Sequence, residues 1–134
     1  MRGKITEVFS TNKREDEVLK TTFGLKYDAG GIVDIEFIVQ YAVLRWSQNH
    51  PELLQYSDNI RVLEVLEQLK LFTAQDAEWL REAYKALRSA IHRLTLEQLP
   101  SRLSMVEVEQ RGLNEYREAV IRIWTQTFKP DDLS

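Results

Sequence analysis

Apolar residues recur along this chain mainly at helical spacing, and turn residues divide the recurrence into segments. From Asp34 onward, Ile35, Ile38, Ala42 and Leu44 to Trp46 form a stretch that is apolar around most of a helix. Only Glu36, Gln40, Arg45 and Gln48 interrupt it, which is the pattern of a central, buried helix. Asn49-His50-Pro51 ends it, because proline disfavours helix at the residue before it. Ser57 or Asp58 can cap a second helix carrying Ile60, Leu63, Leu66 and Leu69 at three-residue steps. Thr73-Ala74-Gln75-Asp76 resembles a capping box with Asp in the place of Glu or Gln. The helix it opens is the longest, and Ala77, Leu80, Tyr84, Leu87, Ile91 and Leu94 alternate in steps of three and four. That is the seam of a helix packed nearly antiparallel on another. Glu78 with Arg81, and Glu82 with Lys85, can pair on its exposed side for ~0.2–0.5 kcal/mol each. Pro100 stops this helix. A last one, starting near Met105 or Leu113 and reaching Phe128, carries Leu113, Tyr116, Val120, Ile123 and Trp124.

The chain ahead of these helices reads differently. Ile5, Val8 and Phe9 can share one face of a short helix, and the charged run Lys13 to Glu17 reads as solvated or mobile. Val18 to Tyr27, with Thr21, Thr22 and Phe23, suits a strand, and Asp28-Ala29-Gly30-Gly31 breaks the pattern as a turn. Lys129-Pro130-Asp131-Asp132 reads as a frayed tail. The expected fold is mainly α: an antiparallel bundle of four or five helices behind a short N-terminal extended segment. The expected division is residues 1–32, a bundle over 33–128 and a tail over 129–134.

Composition changes this picture only by exclusion. With 134 residues, 43% of them hydrophobic and 29% charged, the chain is large enough for one domain with a real core. Its 18 basic and 21 acidic residues leave a net charge of −3, so no global field draws it to nucleic acid or an anionic membrane. The absence of Cys removes disulfides, thiolate nucleophiles and Cys metal sites. With no signal-like apolar N-terminus and no run long enough to span a bilayer, the expectation is a cytoplasmic protein.

Candidate chemistry is sparse. His50 and His92 lie far apart and neither has a partner at i+3 or i+4, so no metal site is expected; His92 reads as a packing residue. No nucleophile elbow, Walker loop or HExxH occurs. Asp34 and Glu36 are the only paired carboxylates beside a Gly-rich turn. On a strand they would share a face and could share a divalent ion; on a helix they diverge and Asp34 sits at or near the N-cap. The apolar run that follows favours the helix. Gly30-Gly31 permits close backbone approach, and a helix start offers N–H groups to an anion, with Lys26 able to add positive charge. Asp34 at the same place would repel a phosphate unless a metal bridged them.

The string Gly30-Gly31-Ile32-Val33-Asp34-Ile35-Glu36-Phe37-Ile38-Val39-Gln40-Tyr41 resembles the signature that follows the nucleotidyltransferase domain in the glutamine synthetase adenylyltransferase family. The likeness continues through His50-Pro51-Glu52-Leu53 and Ser57-Asp58-Asn59-Ile60-Arg61-Val62-Leu63-Glu64. It recurs at Ala83-Tyr84, Leu87-Arg88, His92-Arg93-Leu94, Arg117-Glu118-Ala119-Val120 and Trp124. It covers roughly residues 23 to 128, in order. Uridylyltransferases carry a similar Gly-Gly and Asp at this joint, but the downstream string is not part of that likeness.

The resemblance implies a longer parent that starts upstream of Met1. Its N-terminal half removes AMP from glutamine synthetase, and its C-terminal half attaches AMP from ATP with Mg²⁺ to control nitrogen assimilation. The PII signalling protein and glutamine set the direction. Val33-Asp34 stands where the removing half more often has Arg before an acid, which assigns this piece to the transferring half, with residues 1–32 a remnant of the nucleotidyltransferase domain. The family's catalytic acids lie upstream, in a Gly-Ser…Asp-x-Asp motif and a Val-Asp-x-Arg-Leu-Arg-Pro motif, and neither occurs here. AMP transfer to a tyrosine hydroxyl needs metal-held phosphates and an aligned acceptor, so this piece alone is expected to be inactive and to hold neither ATP nor metal. Lys26, Gly30, Gly31, Asp34 and Glu36 are its candidates for facing the nucleotide cleft. An alternative makes the bundle a docking module for glutamine synthetase or PII, with Tyr56, Arg61, Trp79 and Arg88 as contacts. Loss of upstream partners is expected to bare apolar surface, chiefly over Val18 to Ile32.

Overall fold

The computed structural model describes residues 21–128. The readings of a short helix at Ile5 to Phe9, a charged run at Lys13 to Glu17 and a tail from Lys129 lie outside the described residues. Within them the order is β1 (Thr22–Gly24), α1 (Ile32–Trp46), a 3-10 turn (Pro51–Gln55), α2 (Asn59–Gln68), α3 (Ala74–Leu96), β2 (Arg102–Ser104), α4 (Met105–Gln110) and α5 (Leu113–Thr127). Five helices and one two-stranded sheet make up the described part, a mainly α bundle as the periodicity implies. No described helix is long and apolar enough to cross a membrane.

The helices α2, α3 and α4 begin where polar side chains take the first unpaired amides. Asp58, rather than Ser57, caps α2 by accepting the Ile60 N–H at 3.0 Å. Thr73 caps α3 by accepting the Asp76 N–H at 3.1 Å. Once started, each helix turns its apolar stripe inward. On α1 the buried stripe is Ile35, Ile38, Val39 and Ala42, and on α3 it is Ala77, Leu80, Ala83, Leu87, Ala90 and Leu94. Small residues alternate with leucines along α3, so its neighbours approach closely. Asp76 pairs with Arg122 at 3.2 Å while Trp79 stacks on Tyr116, so α3 and α5 run in opposite directions. Glu67 with Arg81 and Asn59 with Tyr84 give the same opposed order for α2 and α3. Leu63, Leu66, Leu80 and Leu87 are at most 1% exposed. Each contributes about 1.5–3 kcal/mol by leaving water.

Several expectations change on contact with the fold. The extended segment is only three residues long, and it is a paired strand: Phe23 opposes Leu103 in an antiparallel ladder with β2. Phe23 and Leu25 are fully buried in the common core, so the described part of the Val18–Ile32 segment is not bare; Tyr27 alone stands out, at 73% exposure. Apolar exposure is found elsewhere, and on α1 it includes Phe37 (50%) and Leu44 (79%), so the helix that reads as enclosed all round has an open face. Arg81 reaches across to Glu67 at 2.6 Å rather than along its own helix to Glu78, whereas Glu82 and Lys85 do pair, at 3.4 Å. The last helix starts at Leu113, one of the two expected starts, and Met105 opens a short helix of its own, divided from it at Arg111 and Gly112.

Candidate functional site

The sequence signature lies at the joint between β1 and α1, and its local chemistry begins with backbone hydrogen bonds. Leaving β1, the chain turns at Gly24, whose N–H donates to Asp28 Oδ2 at 2.8 Å. The same carboxylate faces Arg102 at 3.4 Å, and Arg102 also donates to Thr22 Oγ1 at 2.8 Å, tying the turn to both strands. The loop then folds back over the start of α1. Gly31 N–H donates to Asp28 O at 2.8 Å, Ile32 N–H to Leu25 O at 2.8 Å, and Val33 N–H to Lys26 O at 3.0 Å. Asp34 N–H reaches Gly31 O at 3.2 Å. The N–H groups that a helix start could have offered an anion are therefore occupied from within.

Asp34 is the third residue of α1, near its N-cap as expected, and only 4% exposed. Its Oδ2 accepts the Gly30 N–H at 2.8 Å, reaching back one residue beyond the Gly31 N-cap that the acid of a capping box would bond. A buried carboxylate is tolerated when N–H groups bond it, and such charge-assisted bonds are worth about 1.5–3 kcal/mol. The two glycines are required by space. Gly30 has φ +84°, and a Cβ there would lie 2.7 Å from both Cγ and the carbonyl oxygen of Arg117 on α5. At Gly31 a Cβ would meet the carbonyl oxygens of Leu25, Asp28 and Lys26 at 2.8–2.9 Å. Arg117 completes the joint by donating from Nε to Ala29 O at 3.3 Å, with its guanidinium 4.9 Å from the centre of the Phe23 ring.

Of the five cleft candidates, Gly30, Gly31 and Asp34 are buried together in this joint, while Lys26 and Glu36 keep partial exposure. Glu36 points away from Asp34. It lines a groove of about 520 Å³ between α1 and the start of α2, with Tyr56, Asn59 and the exposed Leu44. Helical spacing thus separates the carboxylate pair. Among the described residues no three His, Asp or Glu side chains converge as a metal cage, and Asp28 and Asp34 are each committed to backbone N–H groups. The residues present do not fit Mg²⁺ or a nucleotide phosphate by themselves.

The surface candidates fall on different faces. Tyr56 lies under the guanidinium of exposed Arg61, 5.5 Å from carbon to ring centre, beside the Glu36 groove. The hydrogen bond and charge of Glu64, with Tyr56 assisting, hold Arg61 above the ordinary arginine value. Trp79 is half-buried and meets Tyr116 edge-on at 5.9 Å, so its main work is to join α3 to α5. Arg88 is exposed on α3. His92, expected to pack, is exposed too, and both line a groove of about 640 Å³ with Lys85. The sequence reading missed Asp28, Arg102 and Arg117. Only Asp28, inside the turn motif, carried a local signal; the two arginines act from residues far along the chain.

The described geometry can be set beside known proteins. The family model for GlnD PII-uridylyltransferase matches residues 1–116. The match is not confined to the Gly-Gly joint: it runs on through α2 and α3. A bifunctional glutamine synthetase adenylyltransferase/adenylyl-removing enzyme of Pseudomonas aeruginosa is 52% identical over 104 residues, which is 78% of this chain and 10% of that protein. The enzyme of the same name from Pseudomonas syringae pv. tomato is 55% identical over 104 residues, again 78% of this chain and 10% of the relative. That of Hahella chejuensis is 46% identical over 106 residues, covering 79% and 10%. The matched stretch thus spans about a tenth of the length of these curated relatives. On the extent of the family match, the chain belongs to the GlnD PII-uridylyltransferase family, and within that family it resembles a portion of the bifunctional glutamine synthetase adenylyltransferases.

Proposed function

We propose that this chain is the helical, non-catalytic C-terminal part of the adenylyl-transferring half of such a bifunctional enzyme, packed behind the nucleotide cleft. The observation that carries this reading is 55% identity over 104 residues to a relative of that name, together with the absence of the family's acid motifs from the chain. In this reading the parent moves AMP from ATP, with Mg²⁺, to glutamine synthetase in the cytoplasm, under control of PII and glutamine. The metal and the phosphates are held by the upstream acids. The part played here is mechanical. The joint fixes the direction in which α1 leaves the cleft, and Lys26 and Glu36 are the side chains left free to reach toward nucleotide.

Purified chain incubated with glutamine synthetase, labelled ATP and Mg²⁺ is expected to transfer no AMP. The parent carrying Lys26→Ala or Glu36→Gln is expected to fold normally and transfer AMP more slowly. Transfer by the isolated chain, or full activity of a parent lacking this region, would overturn the proposal. A docking role for the bundle draws support from Arg61, exposed and stacked on Tyr56 beside the Glu36 groove. Amide shifts at Tyr56 and Arg61 on adding glutamine synthetase or PII, without nucleotide, would favour it.

A further inference from the structure

We propose that the exposed face of the C-terminal half of α3, marked by Lys85, Arg88, His92 and Leu96, is a docking site for an acidic segment of a partner protein. From Ala83 to Leu96 the helix carries Lys85, Arg88, His92 and Arg93 and no carboxylate, in a chain whose net charge is −3. The preceding part, Ala74 to Glu82, holds Asp76, Glu78 and Glu82 against Arg81 alone. Within α3, positive charge is therefore segregated onto the C-terminal half.

The fold makes little use of this charge. Arg88, His92 and Arg93 are exposed and have no ion pair among the described residues. Lys85 contacts Glu82 at 3.4 Å, but the two side chains are 57% and 46% exposed, and a pair so solvated is readily exchanged for another carboxylate. A helix C-terminus does favour cations, which accounts for Arg93 in the last turn. That effect fades within a turn, and Lys85 and Arg88 stand two turns or more before Leu96.

Spacing makes the charges one surface. Lys85, Arg88, His92 and Leu96 follow at i, i+3, i+7 and i+11, so they line one face over roughly 16 Å at a rise of ~1.5 Å per residue. Beside them runs the groove of about 640 Å³ that Ser89, Ile91 and Thr95 also line. At its C-terminal end Leu96 is 72% exposed and Leu99 is 50% exposed. Cations along the stripe and bare leucines at its end complement a segment that presents carboxylates and an apolar side chain. A nucleic acid fits less well, since the stripe is short and the rest of the chain repels polyanions. The stripe lies apart from the β1–α1 joint, and its role does not depend on which reaction the longer relatives perform.

Fluorescence titration of the full chain with a labelled peptide of alternating Glu and Leu tests the proposal. The counterpart with Gln for Glu is expected to bind at least about tenfold more weakly, as is the acidic peptide to K85E/R88E. The variant K70E/R111E, with the same change in net charge at other exposed positions, is expected to stay within about twofold of the unmodified chain. Equal binding of the Gln peptide, equal losses in the two double variants, or tighter binding of a single-stranded oligonucleotide would each overturn it. If circular dichroism shows that K85E/R88E has lost helix, amide shifts on the unmodified chain decide. Shifts concentrated on residues 85–96 support the site, and shifts elsewhere refute it.

Discussion

Replacing Gly30 by Ala puts the geometry of the joint under a direct test, and Gly112 supplies the internal reference. Both glycines have positive φ, +84° at Gly30 and +71° at Gly112. An L side chain in that region costs about 1–2 kcal/mol at either site. The surroundings differ. At Gly112 no atom lies within 4 Å of the added Cβ, so Gly112→Ala is expected to lose only the conformational cost. At Gly30 the Cβ lies 2.7 Å from the carbonyl oxygen of Arg117 and 3.2 Å from Ile121 Cγ1. A backbone oxygen inside a helix cannot rotate away, so α5 must shift, and overpacking of this kind costs a further ~1–3 kcal/mol. The total for Gly30→Ala is then about 2–5 kcal/mol, or a fall in Tm of roughly 8 °C or more for a domain of this size. Urea unfolding followed by far-ultraviolet circular dichroism measures both variants, read as the change in midpoint at constant slope. If the two variants fall within ~0.5 kcal/mol of each other, the close packing of the joint on α5 is refuted.

Three other perturbations address separate parts of the argument. Asp34→Ala strands the buried Gly30 N–H and is expected to cost about 1.5–3 kcal/mol in the same assay, with Asp34→Asn costing less because an amide oxygen can still accept. Phe23→Ala is expected to cost about 3–5 kcal/mol, since the ring is fully buried and supports the Arg117 guanidinium; a loss below ~1 kcal/mol would show β1 to be peripheral. A double-mutant cycle on Glu67 and Arg81, 33% and 18% exposed, is expected to give a coupling of no more than about 1 kcal/mol. That coupling should shrink as salt is raised.

Helix existence was legible because it rests on local pattern. The Thr73 cap stands in the structure, as do Ala77, Leu80, Leu87 and Leu94 of the α3 seam, while the smaller Ala83 and Ala90 take the buried places read for Tyr84 and Ile91. What was illegible depends on residues distant in sequence. β2 is three residues, Arg102 to Ser104, without alternation strong enough to stand out, and it becomes a strand by meeting β1 about eighty residues earlier. Arg81 had two acids to choose from, and the approach of α2 selected Glu67 over its helical neighbour. His92 lies next to the apolar seam in sequence, yet a small rotation about the helix axis places it outside. The open face of α1 was misread for a different reason. A helix apolar all round is a statement about what can cover it, and the described residues leave Phe37 and Leu44 exposed.

The joint itself shows why a signature string need not be a chemical one. Gly30, Gly31 and Asp34 each read as a ligand contact when taken singly: a close backbone approach, a helix start, a carboxylate. In the structure these capacities are used on one another. The loop carbonyls of Leu25, Lys26 and Asp28 take the amides, Asp34 takes the remaining Gly30 N–H, and the missing Cβ atoms make room for those carbonyls and for α5. Substituting any one of the three leaves a partner without its bond or forces an atom into occupied space, so hydrogen bonding and close packing within the fold account for all three residues. A nucleotide approaching this corner would find no free helix-start amide and no open carboxylate at Asp34. Of the five candidates, Lys26 and Glu36 alone keep side chains partly exposed, one on either side of the joint.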